Sequence, residues 1–381
     1  MSSPLNIGIV CYPSIGGSGI VATELGRSLS RRGHQVCFIT YDFPRRLEGV
    51  TEEFHYHHVD VPLYPLFKFP PYTLALASTI YHTVNEHSLD ILHVHYAIPH
   101  STSAFLAKQM LCKKSAEKLK VVTTLHGTDS ELVGQMPSYK PVAEFSIESS
   151  NAVTAVSEYL KRVTLETFDI EKEMHVIHNP IDTEVFAPPS NDWRMNRNVK
   201  TIAHISNFRP VKRILDVIKV FDLIAAHIPA RLVLAGEGPD RSAAEWLINQ
   251  LGLREKVEFA GSQNSVSQIL QDADLLLSTS ERESFGMAIA EAMACETPVV
   301  STCVGGVPEV VQDGVTGYLE PVGDIQALAQ AAIRILSNPQ KQVEMGKAAR
   351  KLIIERFELE TITDEYLRLY QSVIQSEEDC A

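Results

Sequence analysis

Short apolar runs rich in Ile, Val and Leu recur along this chain. Between them lie longer stretches whose apolar positions return every three or four residues. In the first half the short runs fall at residues 5–11, 34–40, 89–95, 120–126, 152–157 and 174–178. They are near-continuously apolar, which predicts parallel strands covered by helices on both faces. The first helix opens at Gly16-Gly17-Ser18-Gly19 and continues to about Arg32. The periodicity then lapses, and the stretch from Ala187-Pro188-Pro189-Ser190-Asn191-Asp192 to Asn198 reads as a linker. Strands resume at 200–206, 230–236, 256–261, 274–279 and 298–302, with helices between them. The pattern predicts an α/β protein with Rossmann-like, doubly wound domains at 1–186 and 199–357, joined by a linker at 187–198. A C-terminal helix within 358–381 is expected to pack back on the N-terminal domain. In open α/β sheets ligands bind beyond the carboxyl ends of the strands. Two such domains facing a central cleft would place the chemistry in the loops that leave the strands.

With 381 residues, 45% hydrophobic and 21% charged, each half can bury its own core and bulk disorder is not expected. Lys and Arg number 34 against 47 Asp and Glu, a net charge of −13. That balance argues against a general nucleic-acid binder, which needs a basic face. No basic segment followed by a long apolar run opens the chain. No stretch nears the ~20 apolar residues of a membrane helix, so secretion and membrane spanning are not expected. Cys11, Cys37, Cys112, Cys295, Cys303 and Cys380 are scattered, with no C-x-x-C pair. The expectation is a reduced cytoplasmic protein without disulfides or a zinc site.

Candidate chemistry lies just after the strands. Tyr12-Pro13-Ser14-Ile15-Gly16-Gly17-Ser18-Gly19 is a Gly-rich loop before a helix. Its glycines admit a ligand to the backbone and the helix start offers N–H groups, which suits a phosphate or carboxylate. Gly17, Gly19 and Ala22 keep a nicotinamide-dinucleotide reading open, and a plain tight turn would need the same glycines. His55-Tyr56-His57-His58 and His93-Val94-His95 each hold an H-x-H pair, which on a strand would put both rings on one face, but neither has a third ligand at metal spacing. Thr124-Leu125-His126-Gly127-Thr128-Asp129 puts a histidine at a strand end beside a glycine. Arg209, Lys212 and Arg213 come after the first strand of the second half, where cations oppose a helix dipole unless an anion binds. The strongest signal is Glu281-Arg282-Glu283-Ser284-Phe285-Gly286-Met287 through Glu291. Glu283 stands at the mouth of a helix and Glu291 eight residues on, near the ~7.2 of two helical turns, so both can line one side of a groove. Carboxylates for hydroxyls beside helix-mouth N–H groups for phosphate suit a sugar nucleotide. Gly305-Gly306-Val307-Pro308-Glu309 makes a further turn. Asp272-Ala273-Asp274 matches a D-x-D metal motif but precedes a strand, at the wrong sheet edge.

Taken together, the Gly loop, Glu283…Glu291, Ser284-Phe285-Gly286 and Gly305-Gly306-x-Pro308-Glu309 resemble the retaining family-4 glycosyltransferases of GT-B fold. A narrower resemblance rests on Cys11-Tyr12-Pro13-Ser14-Ile15-Gly16-Gly17-Ser18-Gly19, Phe67-Lys68-Phe69-Pro70-Pro71-Tyr72, His95-Tyr96-Ala97-Ile98-Pro99-His100, the Thr124–Asp129 run and Ser206-Asn207-Phe208-Arg209-Pro210-Val211-Lys212-Arg213. These are similar to the branch that moves N-acetylglucosamine from its UDP donor to the hydroxyl of L-malate, opening bacillithiol biosynthesis. The resemblance implies an acceptor-binding N-terminal domain and a nucleotide-sugar-binding C-terminal one. It implies that Glu283 holds sugar hydroxyls and Glu291 the ribose. Lys212 and Arg209 would neutralise the diphosphate, with Asn207, Gly17, Ser284, Phe285 and Gly286 also lining the donor. His126 would sit near the reacting centre, making His126, Lys212 and Glu283 the catalytic set. Ser18, Tyr96 and Thr124 are the candidates for the malate carboxylates. No metal or other cofactor is implied. The partners would be UDP-N-acetylglucosamine and L-malate, without nucleic acid or membrane insertion, and homo-oligomerisation stays open. The alternatives are the same transfer to a lipid or glycan, or an NAD-dependent oxidoreductase built on the first loop.

Overall fold

A computed structural model describes every residue except 1–2, 15–16, 45–46, 48–52, 63–64, 67, 133–135, 190–196 and 376–381. Ile15 and Gly16 of the first loop, Phe67, most of the predicted linker and the acidic end with Cys380 lie outside the described residues. The chain divides into two compact units, one of residues 1–180 with 359–381 and the other of 181–358.

Unit 1 contains the strands β1 (Asn6–Val10), β2 (Gln35–Thr40), β3 (His55–His58), β4 (Ile91–His95), β5 (Lys120–Leu125), β6 (Ala152–Ala155) and β7 (Met174–Val176). Its helices are α1 (Ser18–Arg31), α2 (Tyr72–His87), α3 (Thr102–Met110), α4 (Lys113–Lys118), α5 (Lys140–Glu148) and α6 (Glu158–Thr167). The strands form one parallel sheet in the order β3-β2-β1-β4-β5-β6-β7. Both faces of β1 are used. Ile7, Ile9 and Cys11 join the core under α1, whereas Val10 joins the core under α2 and α3. That double burial is what a contiguous apolar run encodes.

Unit 2 contains β8 (Lys200–Ile205), β9 (Ala230–Ala235), β10 (Val257–Gly261), β11 (Leu275–Ser278), β12 (Val299–Thr302) and β13 (Gly317–Glu320). Its helices are α7 (Ile214–Ala225), α8 (Arg241–Gln250), α9 (Ser267–Asp272), α10 (Met287–Ala294), α11 (Val307–Val310), α12 (Ile325–Leu336) and α13 (Pro339–Arg356). Its parallel sheet has the order β10-β9-β8-β11-β12-β13. The unit's two ends meet where Ile181 N–H donates to the Phe357 carbonyl at 2.8 Å.

The last helix, α14 (Leu359–Gln375), belongs to unit 1. Ile362, Tyr366, Leu369, Tyr370 and Val373 pack into the α1 side of its core. Arg32, at the C-terminal cap of α1, binds the Glu360 carboxylate at 2.6 Å. Two edge strands, β3 and β13, were not predicted. An edge strand has one neighbour and can be short and polar, so His-Tyr-His-His and Gly-Tyr-Leu-Glu carry little apolar signal.

Strand order locates the sites. In unit 1 the order reverses between β1 and β4, and in unit 2 between β8 and β11. Ligands of doubly wound sheets bind at such switch points, beyond the strands' carboxyl ends. The loops leaving these four strands carry the Gly-rich turn, Tyr96, the clustered cations and Glu283.

Candidate active site

In unit 2, β8 leads through Ser206–Lys212 to α7. Lys212 ends a single turn of 3₁₀ helix, Pro210–Lys212, and Arg213 caps α7 with φ of 51°. This turn is stitched to the loop after β11. Glu281 N–H donates to the Val211 carbonyl at 2.8 Å, and Thr279 Oγ1 donates to the Arg213 carbonyl at 3.0 Å. Lys212 Nζ consequently meets Glu283 Oε1 at 2.5 Å, and Ser280 Oγ donates to the same oxygen at 2.8 Å. Arg213 pairs with Asp216 at 2.6 Å. Two of the three clustered cations are thus offset by carboxylates of the same unit. Arg209 and Asn207 are exposed beside them.

Glu283 precedes the helix. Its position comes from the turn after β12, because Gly306 N–H donates to the Glu283 carbonyl at 2.9 Å. A Cβ on Gly305 would lie 1.8 Å from that carbonyl oxygen, and Gly305 has φ of 57°, so only glycine fits. Helix α10 begins after Gly286, three residues beyond Glu283. Glu283 therefore stands at the mouth of α10, and Glu291 lies within it. Glu291 alone is helical, and it is buried at 4% exposure. Phe285 is buried against Phe357 with ring centroids 5.4 Å apart, which anchors the helix mouth next to Ser284 and Gly286. Asp274 of the D-x-D sequence is fully buried and pairs with Lys200 at 3.1 Å, while Asp272 ends α9. Both therefore hold structure.

In unit 1, Gly17 caps α1, and Ser18 Oγ lies 2.7 Å from the Tyr96 hydroxyl. Tyr96 holds φ of 85° directly after β4, with its N–H on the Thr124 carbonyl at 2.8 Å. A bulky residue in that conformation is strained, and such strain concentrates at functional sites. His126 Nε2 lies 2.8 Å from His95 Nδ1, with the rings stacked, and His95 stacks in turn on His93. Burial drives His126 and His93 down to about 3 and His100 down to about 4. These imidazoles are neutral near pH 7 and offer hydrogen bonds and ring faces rather than charge.

Thr124 is placed differently from the other acceptor candidates. Its hydroxyl is fully buried and has His93 Nε2 at 2.7 Å, Thr154 Oγ1 at 2.7 Å and the Tyr366 hydroxyl at 3.3 Å. Three partners saturate a hydroxyl. Thr124 supports the site through this network and through its carbonyl. Two features of the site carry no signal in the sequence. Tyr12 packs at a tilt between Tyr96, at 5.4 Å, and His100, at 4.5 Å. Asp129 accepts the Ala97 N–H at 3.1 Å, and burial pushes its carboxyl up to about 7. Both residues lie inside the strand-end motifs, but only the packing shows what they touch.

Known proteins are similar to this chain in sequence and fold. The family described as Glycosyltransferase Family 4 matches residues 15–185, and Glycosyl transferases group 1 matches residues 190–352. The N-acetyl-alpha-D-glucosaminyl L-malate synthase of Bacillus anthracis is 43% identical over 380 residues, 98% of this chain and 99% of that protein. The chain belongs to the family-4 glycosyltransferases. Among solved structures, a glycosyltransferase from Rickettsia africae superimposes with a TM-score of 0.81 at 21% identity, covering 99% of this chain and 100% of that one. Anabaena HepE, solved in complex with UDP and glucose, gives 0.78 at 20% identity, covering 97% and 100%. The fold of this glycosyltransferase is GT-B, with one Rossmann-like sheet in each unit. As a glycosyltransferase it is not the oxidoreductase that the first loop left open. Among its described residues no helix is long and apolar enough to cross a membrane.

Proposed function

We propose that this glycosyltransferase moves N-acetylglucosamine from UDP-N-acetylglucosamine to the hydroxyl of L-malate with retention at the anomeric carbon, the first step of bacillithiol biosynthesis. The observation that carries this reading is the 43% identity to the malate synthase over 98% of the chain. In unit 2, Glu283 is assigned to the sugar hydroxyls and Glu291 to the ribose. Lys212, Arg209, Asn207 and the N–H groups of Ser284–Gly286 are assigned to the diphosphate. Lys212 Nζ and Glu283 Oε1 lie 2.5 Å apart, which supports assigning both to one donor site.

In unit 1, Ser18 and Tyr96, paired at 2.7 Å, face the acceptor carboxylates from the loops after β1 and β4. Gly17 adds the start of α1, and the neutral His126 addresses the transferred sugar. Breaking the sugar–phosphate bond places positive charge on the ring and negative charge on UDP. Fixed cations and N–H dipoles at the leaving phosphate supply the main stabilisation. The malate hydroxyl attacks from the face the phosphate leaves, and its proton passes to the departing phosphate.

The test measures UDP release from UDP-N-acetylglucosamine with L-malate, with a panel of lipid and glycan acceptors, and with no acceptor. Release that depends on L-malate is expected. Release that depends on another acceptor, with malate at the background rate, would assign the transfer to that acceptor.

A further inference from the structure

A second histidine cluster in unit 1 lies apart from the acceptor loops. Cys37 is in β2, His55 and His57 are in β3, and His87 is the last residue of α2. In the parallel ladder Cys37 pairs with His55 and Ile39 with His57. Side chains paired this way project from one sheet face. That face is the one covered by α2, since Cys37 and Ile39 share a core cluster with Leu76, Ile80 and Val84. The Cys37 thiol and one ring nitrogen each from His57 and His87 all lie within 4.8 Å of one another. His57 Nε2 and His87 Nε2 are 3.0 Å apart. Two imidazoles on a tetrahedral ion, with bonds of ~2.0–2.1 Å, span an edge of ~3.3–3.4 Å, so a shift of a few tenths of an ångström suffices.

The donor types select the ion. A cysteine sulfur with two imidazoles suits zinc and its borderline-soft neighbours, whereas magnesium and calcium need oxygen donors. Glu86 Oε1 lies 3.7 Å from His87 Nε2. The C-terminal end of α2 adds the favourable end of a helix dipole. His87 stands at the edge where β4 begins, at Ile91, opposite the carboxyl ends that bear Tyr96 and His126.

We propose that Cys37, His57 and His87 bind one zinc-class divalent transition-metal ion, with Glu86 or water as the fourth ligand, tying edge strand β3 to the end of α2. The two imidazoles ligate as neutral rings through Nε2. The thiol proton of Cys37 passes to solvent as the metal–thiolate bond forms. The H-x-H pair His55/His57 shows no third ligand in the sequence because its partners come from β2 and α2.

The test strips the full-length protein with a chelator and titrates it with cobalt(II). One equivalent should bind, with a thiolate-to-cobalt charge-transfer band and the visible bands of a tetrahedral ion, and zinc should displace it. Cys37→Ser should abolish the charge-transfer band. His57→Gln and His87→Gln should each weaken binding by more than about 100-fold, beyond the ~10–100-fold that loss of an outer partner costs. His87 is half-buried at a helix end, so His87→Gln keeps the fold, as far-ultraviolet circular dichroism will show. Absence of saturable uptake would overturn the proposal. So would a charge-transfer band that survives Cys37→Ser, or unchanged affinity in folded His87→Gln. Those results would leave His57 and His87 as an ordinary hydrogen-bonded pair.

Discussion

Lys212 is held by Glu283, and the pair is only partly exposed, at 21% and 17% for the two side chains. Lys212→Ala should lower kcat by about 10²–10³-fold, the usual consequence of removing one preorganised group at a developing charge. Its melting temperature should barely move, since a partly exposed ion pair contributes about 0–1 kcal/mol. Equal losses of activity and stability would argue for a structural lysine. Glu291→Gln should weaken UDP binding in calorimetry, and an unchanged affinity would remove Glu291 from the ribose. Gly305→Ala adds a Cβ 1.8 Å from the Glu283 carbonyl oxygen. It should destabilise unit 2 by about 1–3 kcal/mol and raise KM for the donor as Glu283 is displaced. Residue types and their place after strands were legible in the sequence. The spacing alone does not show what holds Glu283 in place. Glu283 is placed by Gly305, Gly306, Ser280 and Lys212, on segments up to 71 residues away.

Helix α14 ties the end of the chain to the floor of the unit 1 site. The Tyr370 hydroxyl lies 2.7 Å from His93 Nδ1, and the Tyr366 hydroxyl reaches Thr124. Through His93 and Thr124 the helix sets the support under His95 and His126. Tyr366 is 1% exposed. Tyr366→Ala should therefore cost about 3–5 kcal/mol in unit 1, measured by chemical unfolding. Tyr370→Phe should cost about 1–3 kcal/mol by leaving a buried histidine nitrogen unpaired. A negligible effect of Tyr370→Phe would show that His93 finds another partner. The amphipathic period announces such a helix. The contact of Tyr370 with His93 spans 277 residues, and no local period encodes it.

Over the whole molecule, the buried histidines are unevenly shared. His93, His95, His100 and His126 lie in unit 1 and His204 in unit 2, and burial lowers all five from an ordinary value of 6.5. The unfolded chain takes up protons near pH 6.5, whereas folded His93 and His126 wait until about 3. The stability these groups contribute is full above pH 6.5 and is lost as pH falls toward 3. Asp129, raised from 3.8 to about 7, has the opposite sign, since its contribution is lost as pH rises through 7. One carboxyl does not offset four histidines. Between pH 7 and pH 5, hydrogen exchange should show unit 1 losing more stability than unit 2, and equal losses would contradict the burial assigned to these rings. The net charge of −13 acts at the same scale. It governs solubility and long-range steering, so the proposed anion capture would rest on the local cations and N–H groups of unit 2.

By itself the sequence determined two parallel α/β sheets and the loops that carry the chemistry. Burial on both faces of a strand demands contiguous apolar residues, and ligands gather where such strands end. Tertiary structure alone decided which strands are neighbours. Placing β1 beside β4 and β8 beside β11 makes the switch points where the loops converge. It also buried Thr124, paired Ser18 with Tyr96, and brought Cys37 to His57 and His87. The physical reason is one of range. Periodicity records which face of an element is buried, whereas strand order and register are settled by packing between segments far apart in the chain.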